Sequence, residues 1–164
     1  MTIEPRQIHQ VAGIPTTSPV RTVADLALAS DRFTAVSVID SALNRRFLTE
    51  QDILCLPTLL RRRRGAVAAR KHLAEADARA ESPLETRLRL RAVDGRVGPD
   101  DLQHVVRDDD GYVLGVGDLA WRWARLIGEA DGAGPHTLPE ALYRDRRRQN
   151  LLANAGWTVL RRRR

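Results

Sequence analysis

GDLAWRWARLIGEADGAGPH, residues Gly117 to His136, decides how this chain is read. Asp118 sits at the end of one apolar run, and Glu129 and Asp131 sit on the next. Strand side chains alternate between faces, so Glu129 and Asp131, two positions apart, point the same way. A tight turn at Arg122 to Ala124 would fold Asp118 back beside them. Carboxylates gathered on one face repel one another unless a cation lies between them, and oxygen-only ligands suit Mg²⁺ or Mn²⁺. The same three residues also fit ordinary strand-end and turn acids, and spacing alone leaves both readings open.

Outward from this stretch, the second half of the chain has a clear order. Ser82-Pro83-Leu84-Glu85 has the form of a capping box with proline at the first helical position, predicting a helix to about Val93 with Leu84, Leu88 and Ala92 as its stripe. Leu102 to Arg107 and Tyr112 to Trp121 read as strands joined by Asp108-Asp109-Asp110-Gly111, whose acids turn chemistry explains more simply than metal binding. Gly115 and Gly117 share a face of the second strand, where missing side chains permit a bulge or the close approach of backbone or substrate. Arg125 to Ala130 is the third strand. Thr137 and Glu140 open a helix of about 16 residues with Leu142, Leu151 and Leu152 toward the core, and Trp157 to Leu160 is the last strand. Arg161 to Arg164 reads as a solvated tail. The expectation for residues 81–164 is an αβββαβ layer structure with a mixed four-stranded sheet, and the chain as a whole is α+β.

Residues 1–80 read as about four helices after an extended lead-in. Ser18 caps a helix that Pro19 opens, with Val20, Val23, Ala24, Ala27 and Leu28 at helical spacing. A second spans about Phe33 to Arg46 and buries Phe33, Val36, Ile39 and Leu43. Thr49 and Asp52 open a third, which Pro57 should kink or shorten, and a fourth runs from about Ala66 to Ala76. Arg61 to Arg64 fall at a helix C-terminus, where the macrodipole favours cations; phosphate contact by Arg61 and Arg62 is the functional alternative. His72 reads as a packing or surface residue, and Cys55, the single cysteine, as a buried core residue rather than a nucleophile.

Composition bounds the partners. With 43% apolar and 29% charged residues, and no apolar run of 18 or more, the chain reads as globular and cytoplasmic, without membrane insertion. One cysteine excludes an intramolecular disulfide and a cysteine-based zinc cage. The net charge of +6 is carried by arginine, with Lys71 the single lysine, and guanidinium groups make fork-like contacts to phosphate. Nucleic acid is the expected partner, although codon bias and solvated charge runs account for the same composition.

The order helix, three-stranded meander, helix, strand, with acids at the strand ends, resembles the restriction-endonuclease-like fold of the PD-(D/E)XK superfamily. ESPLETRLRL at Glu81 to Leu90, DLAW at Asp118 to Trp121, GEADG at Gly128 to Gly132, His136, and YRDRRRQNLLANAGWTVLR from Tyr143 resemble an actinobacterial domain-of-unknown-function family related to the very-short-patch-repair endonucleases. TSPVRTVADLA, Thr17 to Ala27, is similar to the helical region of AbiEi-type antitoxin relatives. A winged-helix DNA-binding domain precedes that region in those relatives; here it is missing, which the resemblance reads as a truncated product, a later start codon or a remnant.

Carried over by residue, the resemblance implies a Mg²⁺- or Mn²⁺-dependent endonuclease acting on DNA. Asp118 and Glu129 would be the metal-binding acids, and Glu85 an assisting helix-borne acid. Asp131 stands where the superfamily signature usually has lysine, and His136 would orient or deprotonate water. Arg144, Asp145 and Arg148 would present polar groups from the last helix, and Arg144, Arg147 and Arg148 would bind nucleic acid. The alternative is a nucleic-acid-binding or antitoxin-like regulatory protein that keeps the fold without catalysis, with protein partners reached through the N-terminal helices.

Overall fold

The computed structural model describes residues 4–131 and 139–163. The chain is α+β and divides into two compact units, residues 1–83 and 84–164. No helix among the described residues is long and apolar enough to cross a membrane.

In the first unit a hairpin comes before four helices. β1 (Ile8–Val11) and β2 (Ile14–Thr17) pair antiparallel, Val11 opposite Ile14. The two residues between them, Ala12 and Gly13, have φ of 50° and 79°, the left-handed pair that suits a two-residue hairpin loop. Then follow α1 (Pro19–Ala29), α2 (Arg32–Asn44), α3 (Glu50–Leu60) and α4 (Ala66–Ala74). The caps read from sequence are present: Ser18 accepts from Arg21 N–H, and Thr49 and Asp52 form a reciprocal box. Each satisfies backbone donors that the first turn of a helix leaves without partners. Apolar positions from all four helices, among them Val23, Ile39, Leu56, Leu60 and Leu73, make one core.

Several expectations for this unit are corrected. Phe33 and Leu43 are only half-buried, and α2 also buries Asp40, which accepts a 2.7 Å hydrogen bond from Asp77 N–H. Pro57 does not shorten α3, which continues to Leu60. Burial of Leu56 and Leu60 on one stripe holds the helix despite the missing donor. Cys55 is exposed because it precedes Leu56 by one position, about 100° round the helix from the buried stripe. Arg63 pairs with Asp25 at 2.6 Å, and Asp25 also accepts from Arg21 Nε at 2.8 Å. Burial alone would raise the Asp25 carboxyl, but these two guanidinium groups hold it below its ordinary value. Arg61 and Arg62 are exposed.

The second unit contains α5 (Pro83–Asp94), β3 (Asp101–Arg107), β4 (Val113–Trp121), β5 (Leu126–Asp131), α6 (Pro139–Asn154) and β6 (Thr158–Arg163). The sheet order is β3-β4-β5-β6, antiparallel except for the parallel pair β5 and β6, so the sheet is mixed and four-stranded. Val106, Ile127 and Leu152 form the core beneath α6, with Leu114, Trp157 and Val159 packed against it. The hairpin between β3 and β4 follows turn chemistry: Asp108 Oδ1 accepts from Asp110 and Tyr112 N–H, and Gly111 takes φ of 88°.

Here too the sequence expectations need correction. On α5 the buried residues are Glu85, Thr86 and Leu90, not Leu84, Leu88 and Ala92. On α6, Leu152 is fully buried whereas Leu142 is 48% exposed. Arg161 to Arg163 are no free tail: β6 runs through Arg163, with Arg161 opposite Glu129 in the parallel register, and Arg164 lies outside the described residues. Gly115 and Gly117 leave room for this protein rather than a substrate. A Cβ at Gly115 would lie 3.2 Å from Arg148 Cγ, and one at Gly117 would lie 2.6 Å from Ile127 Cγ2.

Candidate functional site

The acids of the quoted stretch meet where β4 and β5 stop pairing. Their ladder closes at Leu119 opposite Gly128, and the same register continued by one step sets Asp118 opposite Glu129. Cross-strand partners share a face, so the two carboxylates project together. Asp118 Oδ2 accepts a 2.8 Å hydrogen bond from Ala130 N–H, so the side chain takes over a backbone donor at the end of the ladder. Asp118 Oδ1 accepts no hydrogen bond from a described residue.

Glu85 joins from the first turn of α5. It is buried, and its Oε2 accepts from Gln103 Nε2 at 3.0 Å. Gln103 has φ of 51°, a left-handed residue within β3 that interrupts the ladder beside Asp118. Asp118 is pushed up to about 6, first by burial and then by the charges of Glu85 and Glu129; the Ala130 N–H and Arg148 pull the other way without cancelling them.

Two arginines hold Glu129. Arg148 donates to its Oε1 at 2.5 Å, and Arg161 Nε donates to its Oε2 at 2.7 Å. Arg148 is placed by α6 and donates a second bond to the Val116 carbonyl at 3.0 Å. Arg161 also grips Asp145 with two bonds of 2.6 and 2.5 Å. Those bonds from Arg161 hold Asp145 below the usual carboxylate range and raise the Arg161 guanidinium above its own. Arg144 and Arg147, on the same helix, are exposed.

The structure therefore gathers Glu85, Asp118, Glu129, Asp145 and Arg148, and adds Arg161. Arg161 was missed as a member because four consecutive terminal arginines read as a tail; the parallel register with Glu129 is what recruits it. Asp131 ends β5, and its side chain, like the whole of His136, lies outside the described residues. Arg61 and Arg62 belong to the first unit. Among the described residues no three His, Cys, Asp or Glu side chains form a group that could hold a metal ion.

The unit is a mixed four-stranded sheet with a cluster of carboxylates and arginines at one strand end, in which Glu85 and Glu129 are buried and the others half-buried. No family model and no solved structure matches the chain. It is similar to an uncharacterized protein of Mycobacterium tuberculosis, strain CDC 1551 / Oshkosh, at 32% identity over 154 residues. The same identity and length relate it to an uncharacterized protein of strain ATCC 25618 / H37Rv. Each alignment covers 94% of this chain, which spans 56% of the relative's length.

Proposed function

We propose that this chain is a divalent-metal-dependent endonuclease of the restriction-endonuclease-like type, cleaving DNA phosphodiester bonds in the cytoplasm. The observation that carries this reading is the convergence of Asp118 with Glu129 and Glu85 at a strand end. Burial of acids that repel one another is a cost to the fold, and such costs concentrate where a ligand relieves them. The donor chemistry fits a hard cation: carboxylate oxygens suit Mg²⁺ or Mn²⁺, and Mg²⁺ commonly binds through one or two carboxylates with water and substrate phosphate completing its shell. Asp118 and Glu129 would hold it. When bound, the metal supplies Lewis-acid polarisation of the phosphodiester and a more acidic water.

The remaining work falls to this chain's own side chains. Glu129 reaches a cation only by giving up a guanidinium, which leaves Arg148 or Arg161 for phosphate. Exposed Arg144 and Arg147 bind flanking phosphates. Asp131 and His136 keep the roles that the resemblance gives them. In the AbiEi-like helical unit, exposed Leu54 and Val67 support a protein partner there.

A second reading is favoured by a specific observation: both oxygens of Glu129 are already occupied by arginine. This suits a protein that binds nucleic acid without cutting it. Purified protein incubated with supercoiled plasmid in Mg²⁺, Mn²⁺ or EDTA separates the two. The endonuclease reading expects metal-dependent nicking that Asp118→Asn abolishes. Retention of DNA without nicking sinks that reading and supports the second, and neither nicking nor retention rejects both.

A further inference from the structure

A second feature of the sheet unit is lined by none of the clustered carboxylates. His104 and Trp157 line a cleft of about 940 Å³, together with Arg107, Arg122, Arg125 and Leu114. The two rings lie against each other, centroids 5.2 Å apart and tilted by 42°. His104 is fixed by Asp101, whose Oδ2 accepts from Nδ1 at 2.9 Å, which leaves Nε2 for another partner. Trp157 packs on the core with part of its surface and is half-buried.

The three arginines are oriented yet not used up. Arg107 donates one bond to the Gly111 carbonyl, Arg125 one to the Ala155 carbonyl, and Arg122 Nε a long 3.4 Å contact to Asp100. A guanidinium has five N–H donors, so most of each fork remains available. Asp108 and Asp109 also line the cleft, but Asp108 Oδ1 is occupied by its own turn, and cations outnumber acids by three to two. An aromatic floor stacks a flat base, and arginines around it bind the phosphates on either side.

We propose that this cleft is a subsite for an unpaired nucleotide of a nucleic-acid strand, with the base against Trp157 and His104 and its phosphates on Arg107 and Arg122. It rests on the nucleic-acid reading for its ligand and not on catalysis. The strand would be held by residues other than Asp118 and Glu129, so the protein would favour substrates with single-stranded or distorted segments.

The test is fluorescence anisotropy of a labelled 12-nucleotide oligothymidine with the full chain in EDTA, where no cleavage intrudes. Arg107→Ala/Arg122→Ala changes two exposed side chains and is expected to weaken binding about tenfold. Trp157→Leu keeps an apolar residue against the core and is expected to weaken it several-fold, with circular dichroism confirming the fold. An abasic strand of the same length should bind much more weakly than oligothymidine. Equal affinity for the two strands, or unchanged oligothymidine affinity in the arginine variant, overturns the proposal. Oligothymidine binding lost in that variant by a protein that fails to nick plasmid would sink the endonuclease reading and leave the subsite standing.

Discussion

Asp118 carries the cost of the site in a form that can be measured. Its carboxyl is raised from 3.8 to about 6, so between those values the folded chain binds a proton that the unfolded chain has released. Stability contributed by this group is therefore greatest below pH 4 and falls as the pH rises through 6. Asp118→Asn removes the penalty and keeps an oxygen for Ala130 N–H. Allowing for solvent screening of a half-buried group, the variant should gain about 1 kcal/mol at pH 8 and nothing at pH 4. Urea unfolding at the two pH values checks this, and an equal gain at both would refute the charge explanation. The sequence disclosed that Asp118 and Glu129 share a face, since pleat and turn length determine it. It did not disclose that Arg148 and Arg161, 19 and 32 positions away, would occupy Glu129, because pairing between distant elements depends on register and helix docking. Cys55 and Glu85 show the same division: helical phase was legible, but the face that would be covered was not.

At the level of elements, caps and turns were the most legible because their chemistry is local. Ser18, Thr49 and the Asp108 to Gly111 turn behave as their side chains dictate. The α5 stripe was misassigned because Thr86 and Leu90 are as compatible with helical spacing as Leu84 and Leu88, and only the packing surface decides between them. Gly115 and Gly117 were recognised as places of close approach, but the approaching groups came from α6 and β5. This fixes a prediction: Gly117→Ala sets a methyl against Ile127, which is fully buried, and should destabilise the sheet unit by about 1–3 kcal/mol. Adding Ile127→Val removes only Cδ1 and leaves Cγ2, the atom nearest the new methyl, in place, so thermal unfolding should show little recovery of that loss. On α3, Thr49→Ala removes one half of a reciprocal cap and should cost about 1 kcal/mol. A loss below 0.3 kcal/mol would mean that the exposed first turn already frays, on the order expected for caps of little weight.

Across the whole molecule, the net charge of +6 was the feature composition predicted nucleic acid from, and the structure sorts the arginines that carry it. Arg21, Arg63 and Arg161 are committed to carboxylates within the fold, so they add little to attraction at a distance. Arg144 and Arg147 are exposed on α6 and free to meet phosphate. Each phosphate contact releases condensed counterions, so the logarithm of the binding constant falls linearly with the logarithm of salt concentration, by roughly 0.9 per contact on duplex DNA. Arg144→Ala/Arg147→Ala should therefore flatten that slope by about two, whereas Arg63→Ala should leave it unchanged and instead lower the stability of the helical unit. Duplex binding measured in EDTA across a salt series reads both effects. If the slope is the same in all three proteins, the exposed arginines of α6 do not touch phosphate, and the last helix loses its place in the proposed interface while the carboxylate cluster keeps its own test.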